Sequence, residues 1–276
     1  MRPSARLTVG RRVLAAMSMV LTVLAGSFAT PAAQAQSALP SSPAQAWDQF
    51  LTVTGEPGPH RVAGHYFTSP VPPKAQEKIR PQALVGPSTP ILVGNNACTI
   101  AVAGYDKGGN KVAITAGHCG KPGADVISAD AAEAGKIGTF VRAGAPDYGV
   151  IKLNPNVQLT NTYGAARISK LGGPLPASFA QACKTGISTG TTCGPVIGSS
   201  GPYILAHVCG SHGDSGGPFY RNGRLLGIVS GGVGNLPSCT TPLQGPLHAP
   251  TAAVSWNTIK AGLDANGGVG AGFRLA

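Results

Sequence analysis

Short apolar runs separated by turn-forming residues dominate the chain from about residue 91 onward. Apolar runs of about four to eight residues, bounded by glycine, proline or asparagine, are typical of β-strands. They predict strands at 97–102, 111–115, 136–141, 148–153 and 225–230. The pattern therefore indicates a mainly β protein.

Two places along this pattern carry a more specific signal. Asn222 and Gly223 separate the apolar pair 219–220 from the run 225–230, and Asn-Gly tolerates the positive φ angles of a type I′ turn, which predicts a hairpin. Helical spacing of apolar residues occurs only at 252–263, which predicts one C-terminal helix. We expect the glycine-rich last nine residues to fray.

The composition agrees with many short strands. Hydrophobic residues make up 42% of the 276 residues, which is enough for a sizeable core and excludes global disorder. Charged residues make up only 11%, whereas the chain has 40 glycines and 24 prolines. A helical bundle would need more charged residues and fewer breakers.

The first 35 residues have the layout of a signal peptide. A basic head is followed by an apolar stretch at 13–26 and by small residues that end at Ala33-Gln34-Ala35. We expect cleavage after Ala35 and secretion of the remainder. The alternative, a transmembrane anchor, needs roughly 20 apolar residues, more than this stretch provides.

The positive charge does not indicate a nucleic-acid partner. The formal charge is +11, and four of the arginines lie in the first twelve residues. Without these four arginines, the chain has 17 basic residues (21 − 4) and 10 acidic ones. The remaining basic residues are scattered, without runs or interleaved aromatic residues, which favours a soluble basic exoprotein.

The cysteines mark the folded domain. Residues 36–90 are proline-rich and contain no cysteine, so we predict a pro-segment or linker there and a folded domain at 91–276. An even number of cysteines in an exported chain predicts three disulfides, although spacing alone leaves the pairing open. No metal-site spacing accompanies them, and we expect neither a metal nor another cofactor. The six are Cys98, Cys119, Cys183, Cys193, Cys209 and Cys239.

The string GDSGGP at 213–218 is the sharpest chemical motif. A nucleophilic hydroxyl needs a tight turn in which backbone N–H groups can stabilise a developing oxyanion. The glycines around Ser215 provide such a turn. A purely structural glycine-rich turn is the alternative in a chain with 40 glycines.

A general base and a carboxylate complete the candidate chemistry. TAGHC at 115–119 places His118 at the end of a predicted strand, next to a cysteine that would hold it in place. Asp147 directly precedes the apolar run 148–153, and we choose it as the residue that orients the imidazole. Asp125 and Asp130 lie in a polar loop and are expected to be solvated. The other acidic candidates after the histidine are Glu133, Asp214 and Asp264.

These motifs together resemble the chymotrypsin-like (trypsin-type) serine proteases, and within them the bacterial streptogrisin and α-lytic protease branch. The chain order His118, Asp147, Ser215 is that of the family. The string DYGVI at 147–151 and the segments ACKTG at 182–186 and TCG at 192–194 resemble the bacterial branch. The resemblance covers about 91–256.

The resemblance implies a fold and a set of roles. The fold would be two six-stranded antiparallel β-barrels with the site in the cleft between them. The N–H groups of Gly213 and Ser215 would form the oxyanion hole, and Ser230, Gly231 and Gly232 would pair with the substrate backbone. The implied disulfides are Cys98–Cys119, Cys183–Cys193 and Cys209–Cys239.

The chain also departs from the trypsin pattern. Pro90, not a basic residue, precedes Ile91, so trypsin-like activation by cleavage there is not expected. Lys184 matches the place where bacterial relatives carry an internal cation, and our hypothesis is an ion pair with Asp214. A solvated surface lysine is the alternative.

Specificity is the least determined feature of the sequence. His207 stands where the family often places a residue at the base of the specificity pocket, and no acidic residue occupies that position, which argues against a preference for Lys or Arg. The glycines at 231–232 would leave the pocket open for large apolar side chains. Alternatively, His207 and His212 could bind an acidic side chain.

The sequence thus predicts a secreted serine endopeptidase that acts on protein or peptide substrates as a monomer, with no nucleic acid and no stable membrane insertion. The alternative from another class is a catalytically silent binding protein on a protease scaffold. An esterase of the α/β-hydrolase type would carry its residues in the order Ser, Asp, His, whereas the order here is His118, Asp147, Ser215.

Overall fold

The computed structural model describes residues 61–62, 65–66, 83–239, 244 and 246–276. The chain divides into two units, of which the first, residues 1–39, lies outside the described residues. The predicted signal peptide and most of the predicted linker therefore stay predictions. No helix in the described ranges is long and apolar enough to cross a bilayer.

The described residues contain short strands and a single α-helix, α1, at Trp256–Asn266. The first ten strands are β1 Arg61–Val62, β2 His65–Tyr66, β3 Leu84–Val85, β4 Pro90–Val93, β5 Asn96–Thr99, β6 Val102–Tyr105, β7 Lys111–Thr115, β8 Asp125–Ser128, β9 Lys136–Gly144 and β10 Tyr148–Leu153. The others are β11 Gln158–Leu159, β12 Thr162–Tyr163, β13 Ala166–Arg167, β14 Lys170–Leu171, β15 Gln181–Gly186, β16 Gly190–Ser200, β17 Tyr203–Ala206, β18 Pro218–Arg221, β19 Arg224–Gly232, β20 Thr251–Ser255 and β21 Arg274–Leu275.

The first half of the fold is a curled sheet with the strand order β21-β6-β7-β10-β9-β8-β4-β5. Its central strands β7 and β10 are buried on both faces. Ala113 and Ile151 point into the core of this half, whereas Ile114 and Val150 belong to a second core cluster. Because successive side chains of a strand alternate between faces, one pair of strands serves both cores.

The second half is a closed barrel. Its sheet runs β14-β19-β18-β15-β16-β17-β20, and an additional pairing of β19 with β20 closes six strands into a ring. Phe219 and Leu226 fill its interior. Leu225 and Ile228 point the other way and pack in the second core cluster with Ile114 and other residues of the first half.

This second core cluster joins the two halves and includes the helix residue Trp256. The predicted all-β architecture of two barrel halves with a C-terminal helix is confirmed. The six-stranded closed form is found in the second half, and the first half is a curled eight-stranded sheet.

Several local predictions are confirmed at residue level. The strands predicted at 111–115 and 148–153 are β7 and β10 with the same bounds. Asn222 and Gly223 have φ angles of 49° and 70° and connect β18 to β19, so the Asn-Gly hairpin forms as predicted. The two residue types are enough to predict this hairpin, because both turn positions need positive φ angles and Asn and Gly tolerate them.

The helix predicted at 252–263 is wrong in its first third. Residues Thr251–Ser255 form β20, which pairs with both β17 and β19 and closes the barrel. The helix begins only after Ser255, whose hydroxyl accepts a hydrogen bond from the N–H of Thr258 (3.2 Å) and caps it. Strand pairing on two sides thus overrides the local helical spacing.

The expected fraying of the C-terminus is also wrong. Arg274 and Leu275 pair with Tyr105 and Gly104, and the Arg274 guanidinium lies 4.9 Å from the centre of the Tyr105 ring. Phe273 packs edge-on against Trp256 with ring centres 5.4 Å apart. Tertiary packing therefore holds a segment whose glycines alone would predict disorder.

The folded region extends ahead of the predicted boundary at residue 91. Leu84 and Val85 pair in parallel with Gln158 and Leu159, and Val85 is fully buried. The hydroxyl of Ser88 donates to the carbonyl of Tyr163 (3.0 Å). At least residues 83–90 of the predicted linker are therefore part of the domain.

Candidate active site

The three disulfides form between the pairs that the resemblance implied. The Cα–Cα distances are 6.1 Å for Cys98–Cys119, 4.0 Å for Cys183–Cys193 and 5.2 Å for Cys209–Cys239. Each closes a short loop, which is worth about 3 kcal/mol in the chain-entropy estimate. The first holds the turn that carries His118, and the third closes the loop that contains Ser215.

His118 lies in a 3-10 turn, Gly117–Cys119, that directly follows β7. Asp147 directly precedes β10, and β7 and β10 are paired with Gly149 opposite Thr115. This pairing brings the two residues together. His118 Nδ1 lies 2.9 Å from Asp147 Oδ2, and the backbone N–H of His118 donates to Asp147 Oδ1 (2.9 Å).

Ser230 joins this pair from the second barrel. Its hydroxyl donates to Asp147 Oδ2 at 2.5 Å. The Asp147 carboxylate is thus held by three donors and is only 13% exposed, whereas the His118 side chain is 50% exposed. The arrangement presents the free edge of the imidazole to the cleft and fixes its other edge.

The charges of this pair support each other. The hydrogen bond to Asp147 raises the pKa of His118 above its usual value, against the opposing effect of burial. Burial would raise the pKa of Asp147, but hydrogen bonds from His118 and Ser230 and the charge of His118 hold it below its usual range. Asp147 therefore stays ionised when His118 titrates.

Ser215 faces the same cleft as His118. Both line a cavity of about 310 Å³. Thr99 of the first half donates its N–H to the Ser215 carbonyl (2.8 Å) and its hydroxyl to the Gly213 carbonyl (2.8 Å). No hydrogen bond joins Ser215 Oγ to His118 in the described structure, and such contacts often tighten only with substrate.

A buried ion pair lies directly behind the nucleophile. Lys184 Nζ lies 2.9 Å from Asp214 Oδ2, and both side chains are 0% exposed. The ammonium also donates to the Thr189 hydroxyl and to the Gly190 carbonyl, so its three N–H groups have three acceptors. Burial lowers the pKa of Lys184, and the Asp214 carboxylate opposes that shift. The Lys184–Asp214 hypothesis is confirmed.

The Asp214 carboxylate accepts further hydrogen bonds from the surrounding loop. The N–H groups of Ser188 and Thr189 donate to Oδ1 (2.8 and 3.1 Å), and the N–H of Ser211 donates to Oδ2 (3.0 Å). A buried charge is tolerable only with such partners. Because Asp214 precedes Ser215, this network fixes the turn that carries the nucleophile.

Ser188 contacts the peptide that precedes Gly213, one of the two residues predicted to form the oxyanion hole. The Ser188 hydroxyl donates to the carbonyl of His212. In a trans peptide the carbonyl and the following N–H point in opposite directions, so the Gly213 N–H points away from buried Ser188. Gly213 has a φ of +94°, which favours glycine at this position.

The predicted substrate-binding residues line the same cavity. Ser230, Gly231 and Gly232 form the end of β19, and all three are among the cavity walls. A Cβ atom on Gly231 would meet nothing within 4 Å, so the mouth of the pocket is open there. Thr251 also lines this cavity.

The histidines divide into two groups. His212 lines the cavity. His207 instead stacks on His248, with ring centres 4.3 Å apart, and its Nε2 lies 3.0 Å from the carbonyl of Pro246. A packing role thus accounts for His207.

The other acidic candidates are placed elsewhere. Asp125 is exposed and pairs with Lys136 (2.6 Å), and Asp264 pairs with Lys260 (2.5 Å). The expectation of a solvated Asp130 is wrong, because its Oδ2 is buried without a hydrogen-bond partner and burial raises its pKa to about 7. Its neighbour Ser128 donates to the other oxygen (2.5 Å).

The functional contacts of three residues were missed by the sequence analysis. The Ser188 hydroxyl donates to the His212 carbonyl, and the Ser230 hydroxyl donates to the Asp147 carboxylate. The N–H and the hydroxyl of Thr99 donate to the carbonyls of Ser215 and Gly213. Serine and threonine are too common for their positions to signal such roles. Only Ser230 had a sequence signal, because it belongs to a segment already assigned to substrate binding.

Comparisons with known proteins support the same assignment. No protein-family model matches the chain. The chain is 28% identical to streptogrisin-C of Streptomyces griseus over 68% of its own length and 44% of that protein. It is 33% identical to an uncharacterized protein of Mycobacterium tuberculosis over 67% of the chain and 85% of that protein. The chain thus spans less than half of streptogrisin-C.

Solved structures agree on the fold. The crystal structure of Nocardiopsis protease is 26% identical, with a TM-score of 0.53, and covers 65% of this chain and 96% of that one. The fold and the site define a chymotrypsin-like serine protease. The chain is thus similar to bacterial chymotrypsin-like serine proteases, streptogrisin-C and Nocardiopsis protease among them.

Replacement of Lys184 by methionine tests the buried pair. The change leaves the Asp214 carboxylate buried without its cation, which costs about 3–5 kcal/mol. We expect a lower urea midpoint for unfolding and a loss of turnover. The matched control is Lys152→Met, since Lys152 is an exposed residue of β10. Equal behaviour of the two variants would contradict this role of Lys184.

Replacement of Ser188 by alanine tests the oxyanion hole. Without the hydroxyl, the peptide between His212 and Gly213 can rotate and lose the orientation that the predicted oxyanion hole needs. We expect kcat to fall about tenfold with little change in KM, part of the loss caused by removing an oxyanion donor. Ser169→Ala, at an exposed hydroxyl, is the control. A change in KM alone would argue against this positioning role.

Proposed function

We propose that this chain is a secreted serine endopeptidase that cleaves peptide bonds through an acyl-enzyme on Ser215. The observation that carries the proposal is the His118–Asp147 pair, 2.9 Å apart, together with the cavity that His118 and Ser215 both line. Similarity to streptogrisin-C and to Nocardiopsis protease supports the same reaction.

The proposal gives each residue of the site a role. His118 takes the proton of the Ser215 hydroxyl as the oxygen attacks the scissile carbonyl, and then donates it to the leaving amine. Asp147 keeps the imidazole in the required tautomer and stabilises its cation. The N–H groups of Gly213 and Ser215 bind the oxyanion, at about 3 kcal/mol per donor. Water then hydrolyses the acyl-enzyme by the same steps.

Residues Ser230, Gly231 and Gly232 pair with the substrate backbone as an added strand. We propose a preference for large apolar side chains at the cleavage position. The cavity of about 310 Å³ with glycine at its mouth supports it, and so does a lining without a carboxylate. His212 favours the second candidate, an acidic side chain at this position.

Secretion and processing are part of the proposal. Three disulfides suit an oxidising, extracellular environment, and the N-terminal layout of residues 1–35 suits export. Residues 83–90 pack with the domain, so removal of a pro-segment would occur before Ala83. A freed N-terminus is not needed, because Lys184 already neutralises Asp214.

A fluorophosphonate probe tests the proposed activity. We expect labelling at Ser215 alone, found by peptide mapping, together with hydrolysis of casein. Both signals disappear in Ser215→Ala, whereas the control Ser169→Ala keeps them. Absence of labelling in the folded, full-length protein would favour the alternative of a silent binding protein.

The pH dependence of kcat/KM tests the pair. His118 must be neutral to accept a proton, and Asp147 raises its pKa, so activity should rise with pH through a midpoint above 6.5. In Asp147→Asn the midpoint should move down, and turnover should fall by about 10⁴ because the tautomer is lost. A midpoint that does not move would contradict the assignment of Asp147.

A further inference from the structure

The second half of the chain has an unusual distribution of charge. Asp214 is the only acidic residue between Asp147 and Asp264. Its carboxylate is fully buried against Lys184, and Asp264 pairs with Lys260. The surface of the second barrel therefore carries positive charges without carboxylates of its own strands to balance them.

Four of these positive charges gather at one hairpin. Arg221 and Arg224 lie opposite each other across the Asn222-Gly223 turn. The parallel pairing of β14 with β19 sets Lys170 beside Arg224. Arg167 joins them because its neighbouring segment binds the turn, with the N–H of Ser169 donating to the Gly223 carbonyl (2.8 Å). Residues 50 or so positions apart in sequence thus form one patch.

The patch borders a groove of about 520 Å³, which we call the cationic groove. Its lining includes a charged part, Lys170, Arg221 and Arg224, and an apolar part, the segment 174–177, Pro-Leu-Pro-Ala. Leu175 in the apolar part is 42% exposed, and nearby Phe179 is 80% exposed. Exposed apolar side chains in a groove with charged residues are typical of an interaction site.

The basic side chains of the groove keep donors for a ligand. Arg221 donates one N–H to the Gln181 carbonyl (3.2 Å), and Arg224 donates one to the Gly172 carbonyl (3.0 Å). A guanidinium has five N–H groups. No ion pair joins Lys170, Arg221 or Arg224 to a carboxylate in the described ranges of the chain.

The groove and the cleft lie at opposite ends of one strand. Arg224 begins β19 and Ser230–Gly232 ends it. Six residues at about 3.3 Å each separate Arg224 from Ser230 by about 20 Å. A ligand in the groove is therefore clear of the catalytic residues but within reach of the same extended polypeptide.

We propose that the cationic groove is an exosite that binds an acidic, partly apolar segment of the protein substrate, remote from the bond that is cleaved. Carboxylates of the substrate pair with Lys170, Arg221 and Arg224, and its apolar side chains pack on Pro174 and Leu175. The charge of the groove selects an acidic segment, and the apolar part of its lining favours a peptide over a sugar or a polyphosphate. The effect of the groove on substrate cleavage rests on the proposed endopeptidase function, whereas the binding of an acidic peptide does not.

The binding is tested in the full chain carrying Ser215→Ala. The probe is a fluorescein-labelled peptide of alternating Glu and Leu, followed by anisotropy. We expect saturable binding that weakens at least fivefold in Lys170→Gln/Arg221→Gln. Lys107→Gln/Lys152→Gln removes the same charge from exposed residues of the first half and should change binding less than twofold. Equal weakening in both pairs, or equally groove-dependent binding of inorganic polyphosphate, would overturn the proposal.

The consequence for cleavage is tested with three substrates that share one cleavage site. One is short, and two carry the Glu-Leu segment after a spacer of 4 or 14 Gly-Ser residues. A four-residue spacer spans at most about 14 Å, less than the distance along β19, so only the longer one should reach the groove. We expect the KM of the substrate with the 14-residue spacer to be about fivefold lower than that of the short substrate. In Lys170→Gln/Arg221→Gln the two KM values should become nearly equal.

The outcomes separate the two proposals. Equal KM values for all three substrates in the active protein would overturn the exosite and leave the endopeptidase standing. Cleavage of none of the substrates, combined with groove-dependent binding in Ser215→Ala, would overturn the endopeptidase and leave the groove as a binding site for acidic peptides. A gain with the four-residue spacer would place the effect in the cleft and contradict the groove.

Discussion

The buried pair of Lys184 and Asp214 is the interaction on which the site depends. Both side chains are fully buried, and transfer of two charges from water is costly unless every donor and acceptor is satisfied. Lys184 has three acceptors, and Asp214 accepts from Ser188 and Thr189 as well as from the ammonium. Because Asp214 adjoins Ser215 and Ser188 holds the His212 carbonyl, the same network fixes the backbone on both sides of Gly213, in the turn that carries Ser215.

Catalysis and the docking of the two barrels are physically linked. His118 and Asp147 belong to the first half, whereas Ser215 and Ser230 belong to the second. The Ser230 hydroxyl on Asp147 and the Thr99 contacts on the nucleophile loop cross between the halves. These contacts require the shared core of β7, β10 and β19 to be packed, so the apolar outer faces of those strands are as important for the site as the polar residues at their ends.

The sequence was informative where a local rule decides the structure. Apolar runs predict the strands β7 and β10, and turn chemistry predicts the Asn222-Gly223 hairpin. The motifs around His118, Asp147 and Ser215 are recognisable from their residues and their order along the chain. The errors lie where distant partners decide. Residues Thr251–Ser255 have helical spacing but pair with two strands, and the glycine-rich C-terminus is held by Tyr105 and Trp256. The cationic groove could not be anticipated either, because Lys170 and Arg224 look isolated until the parallel pairing places them side by side.

The internal cation has two consequences that belong together. In a protease whose aspartate pairs with an N-terminus freed by cleavage, the site forms only after that cleavage. Here Asp214 pairs with Lys184 within the fold, and residues 83–90 can remain in place. An N-terminus freed by cleavage is then not needed to complete this ion pair. Neutralising the one carboxylate of the second barrel internally also leaves the arginines and lysines outside without competition. The internal ion pair thus leaves an unbalanced positive surface on the second half. This is the surface that we propose to bind acidic segments of the substrate, away from Ser215.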